Sequence, residues 1–504
     1  MGRSKDYISK LRGLASKGFD PRQAALGNPD LQELALREAM AKRRADIRKV
    51  AGARSKERRI KIAAQRLARD RARKLKKKFL TKRSWAIPAR MLFGRRISSP
   101  ILDRLDPQRA TRWKPIVSRR FKREPPRVQL GSLNFLDDPV GTMSEFAKIS
   151  RAECDEVRSF LDFADAHCVD VGAYLVLAEI WPQLAKIFQG GRMSRPVQKV
   201  LSAIRLDQEL DIGLQGVRDH EDVWAFPTRH RRPRGTTTSA SANLQPQERE
   251  KVADDLCDLI DEWLHVADDE RGNEDLDRWE LSPEGRSLIA RMSGELLDNA
   301  ERHSFPGSTD GDWSMTAFMA ARPSAEGKRE LRCYMAFLSV GQSMAESMSG
   351  APTELLNAAE RYLGQFGGDG PSRETLMTIV ALQDAVTSDP DATRSGRGGT
   401  GLQDVLELVA DLGATDRPDA DVRVTIVSGK SCIRLRHPHL LGQRDARGRR
   451  VQWCNPWNDP RRPPHVKTAF DLPAHFAGTL VSAGFTLDSR LFADEATEID
   501  DLGN

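Results

Sequence analysis

The chain has 504 residues, of which 30% are charged, with a mean hydropathy of -0.53 and a formal net charge of +8. This length predicts several domains, and no apolar run is long enough to span a bilayer, which argues against a membrane protein. The six cysteines form no C-x-x-C pair and the first residues contain no apolar signal core, so we expect a reduced, cytoplasmic protein.

Basic and acidic residues are unevenly distributed along the chain. Residues 1–127 contain 39 Lys and Arg against 11 Asp and Glu, whereas residues 128–504 contain 41 against 61. We interpret 1–127 as a basic, largely helical arm that ends in a Pro-broken connector. Its densest part, residues 41–79, lacks Pro and is rich in Ala, Arg and Lys, which favours helix. Such a helix is typical of contacts with nucleic-acid phosphates, although docking on the protein's own acidic body stays open.

The middle of the chain has the pattern of a small α/β domain, which we place at residues 128–225. "SLNFLD" (132–137) predicts a short strand, and "VRSFLDFADAHCVDVGAYLVLAEIWPQLAKIF" (157–188) predicts strand, turn and helix. A further helix with Pro near its start is predicted within 193–210. Residues 226–248 are rich in Pro, Gly, Ser and Thr, which indicates a linker.

The remaining segment, residues 249–490, mixes helices and strands and precedes an acidic tail at 491–504. Its predicted elements are helices at 246–270, 283–303, 355–366 and 373–386, a strand from 330, a glycine-rich loop from 393 leading into a helix that stops at Gly413, and strands at 421–429, 431–438 and 478–487. The fold class predicted for the whole chain is therefore α/β (α+β).

The stretch "SGELLDNAERHS" (293–304) places Glu295 and Asn299 one helical turn apart, so both side chains lie on one helix face. An amide oxygen suits Mg²⁺, which keeps several waters and takes phosphate oxygens as further ligands. A carboxylate one turn away could accept a proton from an attacking water. Backbone N–H groups where the glycine-rich loop enters its helix, at 398–402, could bind phosphates. Glu-x-x-x-Asn alone is also common on solvated helices.

Four motifs occur here in one order: Glu-x-x-x-Asn, a strand ending in "SVGQS", "GGTGL" before a helix, and "AGTLVSAGF". This order resembles the ATP-binding domain of the GHKL family (gyrase B, Hsp90, histidine kinases and MutL) over about 285–485. The resemblance implies a Bergerat-fold α/β sandwich, with helices on one face of a mixed sheet, that binds ATP and Mg²⁺. It assigns Asn299 as the metal ligand and Glu295 as the catalytic base. The nucleotide-binding positions that it implies are Asn299, Ser339, Gly341, Gly398, Gly399, Thr400, Gly401, Leu402 and Thr479.

One motif departs from the family pattern, in which an Asp after the strand receives the adenine amino group. Here Ser339 holds that position and Ser343 replaces the second glycine. A hydroxyl accepts a hydrogen bond but lacks the charge of a carboxylate. A weaker resemblance concerns the middle segment, which looks like a STAS domain, the fold of anti-sigma-factor antagonists. No Ser or Thr stands at its turn, where that family can be phosphorylated.

These patterns support one leading function and leave two alternatives open. The leading prediction is an ATP-binding protein, or a Mg²⁺-dependent ATPase, whose nucleotide state controls contacts between domains, with a protein partner or within a homodimer. One alternative is a degenerate, non-catalytic regulatory or nucleic-acid-associated protein. The other is a protein-serine kinase resembling anti-sigma factors.

Overall fold

The structure is a computed structural model that describes Ala41 and most of residues 88–487. Within that range the residues that it leaves undescribed are 93–98, 108, 110–115, 120–126, 156–158, 186, 211–216, 218–219, 232–248, 270–279, 304–311, 324–328, 367–369, 385, 387–400, 414–420, 438 and 447. The predicted helix over 41–79, apart from Ala41, and the predicted tail at 491–504 therefore lie outside the described residues. The chain divides into two compact units, Met1–Ile87 and Pro88–Asn504, and every described residue except Ala41 belongs to the second.

The second unit contains ten α-helices and twelve strands among its described residues. The helices are α1 Pro100–Leu105, α2 Pro139–Asp155, α3 Val171–Leu184, α4 Arg195–Ala203, α5 Arg249–Asp269, α6 Pro283–His303, α7 Met344–Ser347, α8 Thr353–Gln365, α9 Arg373–Ala381 and α10 Gly401–Leu412. The strands are β1 Pro88–Leu92, β2 Ile116–Arg119, β3 Arg127–Leu130, β4 Ser159–Phe163, β5 Phe188–Arg192, β6 Val223–Arg231, β7 Trp313–Pro323, β8 Arg329–Val340, β9 Arg423–Arg436, β10 Gln443–Arg444, β11 Arg450–Val451 and β12 Ala469–Thr486.

The centre of this unit is a five-stranded sheet with the strand order β6-β7-β8-β12-β9. Every neighbouring pair in it is antiparallel, so the mixed sheet that we expected is not what forms here. The link between β7 and β8 spans only residues 324–328, which is too short for a parallel crossover and long enough for a hairpin. Parallel pairing occurs instead in the separate three-stranded sheet of β3, β4 and β5.

One face of the five-stranded sheet packs against α5, α6 and α10, which come from the C-terminal half of the sequence. Trp263, Leu297 and Leu406 from these helices are at most 1% exposed and belong to one apolar core with Met315 and Phe337 of the sheet. The helix predicted at 283–303 is confirmed with the same bounds, and it lies with its apolar stripe on this face.

The opposite face of the sheet is also covered by helices, which corrects the expectation of helices on one face only. Strand residues alternate between the two faces, and Leu338 and Leu480 point into a second core that contains Val176 of α3. Helix α3 comes so close that a Cβ atom at Gly172 would lie 2.0 Å from the Ser482 hydroxyl oxygen. The middle segment and the C-terminal segment therefore share a core, and the architecture is α+β with helices on both sides of the sheet.

Three predicted segments have different limits in the structure. The linker expected at 226–248 begins inside β6, the edge strand of the sheet, where Phe226 is 2% exposed and Pro227 sits at a register shift. "SLNFLD" forms a turn after β3 rather than a strand. The connector expected to reach residue 127 ends earlier, because Ile101 and Leu102 of α1 have no exposed surface and pack into the second core.

Strand β9 reverses direction within its length. Fourteen extended residues would hold the two ends about 40 Å apart, yet the amide of His437 donates a hydrogen bond of 3.1 Å to the carbonyl of Val422. Gly429, at φ +60°, provides the left-handed backbone where the chain turns back. The two separate strands predicted at 421–429 and 431–438 are thus confirmed as the two arms of a hairpin.

Candidate functional site

Helix α6 presents an amide and a carboxylate at the edge of the five-stranded sheet. Leu296 and Ala300 are buried, which fixes the helix face, and Asn299 and Glu295 lie half-buried beside them. Asn299 lines an open cleft between the helices and the sheet. The carboxylate of Glu295 instead accepts a hydrogen bond of 3.1 Å from the backbone N–H of Gly401.

The sheet contributes a group of hydroxyls to the same cleft. Ser339, near the end of β8, stands directly opposite Thr479 of β12, so both side chains point to the same face. The hydroxyls of Thr479 and Ser428 are 2.8 Å apart, and Ser428 also accepts the amide N–H of Met344 at 2.8 Å. These hydrogen bonds join β12 and β9 to the start of α7, and Ser339 of β8 lies opposite Thr479 beside them.

Two glycines shape the backbone around these hydroxyls. Gly478 has φ +121°, and a Cβ atom there would lie 2.0 Å from the Ser339 carbonyl oxygen, so only glycine fits. Gly341 has φ +140° and donates its N–H to the Ala477 carbonyl at 3.4 Å. Gly341 does not line the cleft, and its observed contribution is to turn the chain from β8 toward α7.

The helix that follows the glycine-rich loop begins beside α6. A Cβ atom at Gly401 would lie 2.7 Å from the Glu295 Cβ, so this glycine permits the two helices to approach each other. Gly401 and Leu402 line the cleft. Gly398, Gly399 and Thr400 lie outside the described residues, so their predicted role in phosphate binding stays a prediction.

A charged cluster next to Glu295 was not predicted from the sequence. Asp404, in the first turn of α10, has a fully buried side chain and accepts hydrogen bonds from Arg291 of α6 and Arg450 of β11. The hydrogen bonds to Asp404 raise the pKa of the Arg291 guanidinium. Arg450 also pairs with Glu407 at 2.7 Å. No local pattern could reveal this cluster, because its members come from three elements far apart in sequence.

The cleft itself has an empty volume of about 840 Å³, including the solvent at its mouth. Its walls combine apolar side chains, Leu296, Phe337 and Met344 among them, with polar ones such as Gln342 and Ser347. Of the predicted site residues, the ones that line it are Asn299, Ser339, Gly401, Leu402 and Thr479.

The turn between β4 and α3 is a second place where the sequence suggested function. Asp165 accepts hydrogen bonds from the Tyr174 hydroxyl at 2.8 Å and the Ser132 hydroxyl at 2.7 Å, and Asp170 caps α3 by accepting the Gly172 N–H. Burial raises the pKa of Asp170 to about 6 and that of the Cys168 thiol well above its usual range. These groups hold the turn in place, which is a structural role.

Comparison of the chain with protein-family models, with curated proteins and with solved structures finds no match in any of the three. No helix among the described residues is long and apolar enough to cross a membrane. In that part of the chain there is also no group of three or more His, Cys, Asp or Glu side chains placed to hold a metal ion. The fold and the site together define an α+β protein that has, beside an antiparallel sheet, a cleft lined by both polar and apolar side chains.

Proposed function

We propose that the C-terminal segment binds Mg²⁺-ATP in the cleft between α6, α7 and the sheet. The observation that supports this proposal is that residues chosen from three separate motifs, Asn299, Ser339 and Thr479, line one cleft together with the start of α10. A chance pattern in the sequence would have no reason to bring these positions to a common cavity.

The residues of the cleft fit such a ligand in their chemistry. Asn299 offers one neutral oxygen for Mg²⁺, and the phosphates and waters complete the coordination of a bound ion. The backbone at the N-terminus of α10 faces the same space and favours anions. The hydroxyls of Ser339 and Thr479 can orient a planar base against the apolar wall formed by Phe337 and Met344.

One contact favours binding without hydrolysis as a second candidate function. The Glu295 carboxylate accepts the Gly401 N–H at 3.1 Å, so it caps α10 in the position where an anion would be stabilised. A general base needs a free lone pair directed at the attacking water. Glu295 also does not line the cleft, so hydrolysis requires its carboxylate to turn toward the bound nucleotide, whereas a regulatory nucleotide-binding protein needs no such movement.

The wall of the cleft is connected to a distant part of the fold, which is consistent with a nucleotide-dependent change in contacts. Ser343 lines the cleft and forms a capping box with Glu346. Glu346 in turn pairs with Arg104 of α1 at 3.0 Å. A shift of α7 on ligand binding would be transmitted through this ion pair to α1.

Titration calorimetry with ATP, in the presence and absence of Mg²⁺, tests the proposal. Asn299→Ala should abolish the Mg²⁺-dependent part of binding, because the metal loses its side-chain ligand on α6.

Glu295→Ala should preserve binding and lower turnover by about 10²–10⁴-fold if Glu295 is the base. Binding of ATP to the wild-type protein without turnover would favour the regulatory candidate, and no binding at all would refute both.

A further inference from the structure

The loop between β9 and β12, residues 437–468, differs in charge from the acidic segment that surrounds it. This basic loop contains seven Lys and Arg against two Asp, a net charge of +5, whereas residues 128–504 as a whole have a net charge of -20. Within the described residues it also contains three of the four large apolar side chains that are exposed: Leu441 at 49%, Trp457 at 60% and Val466 at 70%. Cationic and apolar groups are therefore presented together on one loop.

The basic loop is held in one conformation by its own polar side chains. Asn458 accepts the Trp453 N–H and donates to the Val451 carbonyl, both at 2.7 Å. Asn455 donates to the carbonyls of Asp459 and Arg462 at 3.0 and 3.2 Å. Cys454 and Asn458 adopt positive φ angles of 57° and 49°, which non-glycine residues rarely do. This preformed loop holds a strained backbone while it exposes an indole, which indicates recognition rather than stability.

The exposed tip combines a ring with cations. The Arg462 guanidinium lies 4.0 Å from the centre of the Trp457 ring. The neighbouring Arg461 side chain is 85% exposed and pairs only with Asp459, at 3.1 Å, among its ion pairs within the described residues. Exposed pairs of this kind contribute little to stability, so a stronger anion can replace the carboxylate.

We propose that the basic loop is a binding surface for single-stranded nucleic acid. Arg461, Arg462 and Lys467 are exposed and match a phosphate backbone, and the indole offers a face on which an unpaired base can stack. A duplex hides its base faces and makes no use of Trp457. Residues 494–501 offer carboxylates but no aromatic ring, so they could pair with the charges of the loop but could not stack on Trp457. The surface is separate from the cleft and does not depend on nucleotide binding there.

The test uses the full-length protein and a single-stranded RNA oligonucleotide that contains 5-iodouridine. Photo-cross-linking followed by peptide mapping should identify Trp457. Trp457→Leu should weaken single-strand binding roughly 5- to 100-fold, the equivalent of one lost stacking contact, and should leave duplex binding unchanged. Trp457→Phe should retain much of the affinity because a phenyl ring still stacks.

Two double variants that remove the same charge distinguish binding at the basic loop from general electrostatic attraction to the protein. Arg461→Ala with Arg462→Ala should weaken binding more than Arg151→Ala with Arg195→Ala, which removes two exposed arginines from the middle segment. Equal losses in both pairs, or no cross-link within the basic loop, would overturn the proposal. Cross-linking that appears only after deletion of residues 488–504 would also overturn it, because the acidic tail would then be the occupant of the loop in the intact protein.

Discussion

At the scale of single residues, Ser339 is the residue that we expect to contact the base in the proposed cleft. It faces Thr479 across the β8–β12 pair, in reach of a hydroxyl network rather than of a charge. Ser339→Asp is expected to raise the ratio of ATP to GTP affinity by about 5- to 10-fold, because a carboxylate accepts an amino-group hydrogen bond more strongly than a hydroxyl does. Competition titrations with both nucleotides measure the ratio.

The control for this substitution is Ser339→Asn, which has a similar shape without the charge and should change the ratio less. A Ser339→Asp protein that folds normally and shows the wild-type ratio would mean that another residue reads the base. In that case the alignment of "SVGQS" with the family motif would be wrong.

At the scale of elements, the pairing of β8 with β12 depends on a glycine. A Cβ atom at Gly478 would collide with the Ser339 carbonyl oxygen, and the φ of +121° is unfavourable for any other residue. Gly478→Ala should therefore lower the free energy of unfolding by about 2 kcal/mol or more, measured by urea unfolding. The matched control is Gly294→Ala in α6, where a Cβ atom has no neighbour within 4 Å. That change should stabilise the protein by about 0.5–1 kcal/mol, because alanine favours helix.

The N-terminus of α3 should make stability depend on pH. Burial raises the pKa of Asp170 from 3.8 to about 6, and its oxygens accept the Phe135 and Gly172 amide hydrogens. Between these two pKa values the folded state binds more protons than the unfolded state. The free energy of unfolding therefore falls as the pH rises through about 4–6.

Asp170→Asn removes this titration while it keeps an oxygen that can accept hydrogen bonds. From pH 4 to pH 7 the wild-type protein should lose on the order of 2–3 kcal/mol relative to Asp170→Asn. Urea unfolding of both proteins across this range measures the difference. If the free energy of unfolding changed with pH in the same way in both proteins, the Asp170 carboxyl group would not be the cause of the pH dependence.

At the scale of the whole molecule, the charge asymmetry and the unit boundary together define a deletion experiment. Residues 1–87 contain 27 Lys and Arg against eight Asp and Glu. Removing residues 1–127 would also remove α1 and Arg109, which is buried and pairs with Glu153 at 2.9 Å. Deletion of 1–87 is the cleaner change, because it ends where the second compact unit begins.

The deletion of 1–87 should leave the second unit folded and should remove most duplex binding, with a shallower salt dependence for what remains. Electrophoretic shifts from low to physiological salt, on full-length and truncated protein, measure this. If the full-length protein shifts no nucleic acid even at low salt, the arm instead binds the protein's own acidic body or another protein, and the prediction for 41–79 fails.

Elements with local signals could be predicted from the amino-acid sequence alone. Helix periodicity located α6, and a glycine marked the end of α10, because helices are formed by residues close together in the chain. The same local pattern identified Asn299 and Glu295 as one pair. Short motifs also predicted several positions that line the cleft, among them Ser339 and Thr479.

Features that depend on partners far away in sequence emerged only from the folded chain. Strand β7 has no signal in the sequence, because nearly all of it is buried on both faces and it shows no alternation. The second half of β6, from residue 226, resembles a linker because it runs directly into a stretch rich in Pro, Gly, Ser and Thr. The Asp404 cluster and the cover on the second sheet face arise from contacts between distant segments. Such contacts are fixed by pairing and burial across the whole molecule, and no single stretch of sequence contains them.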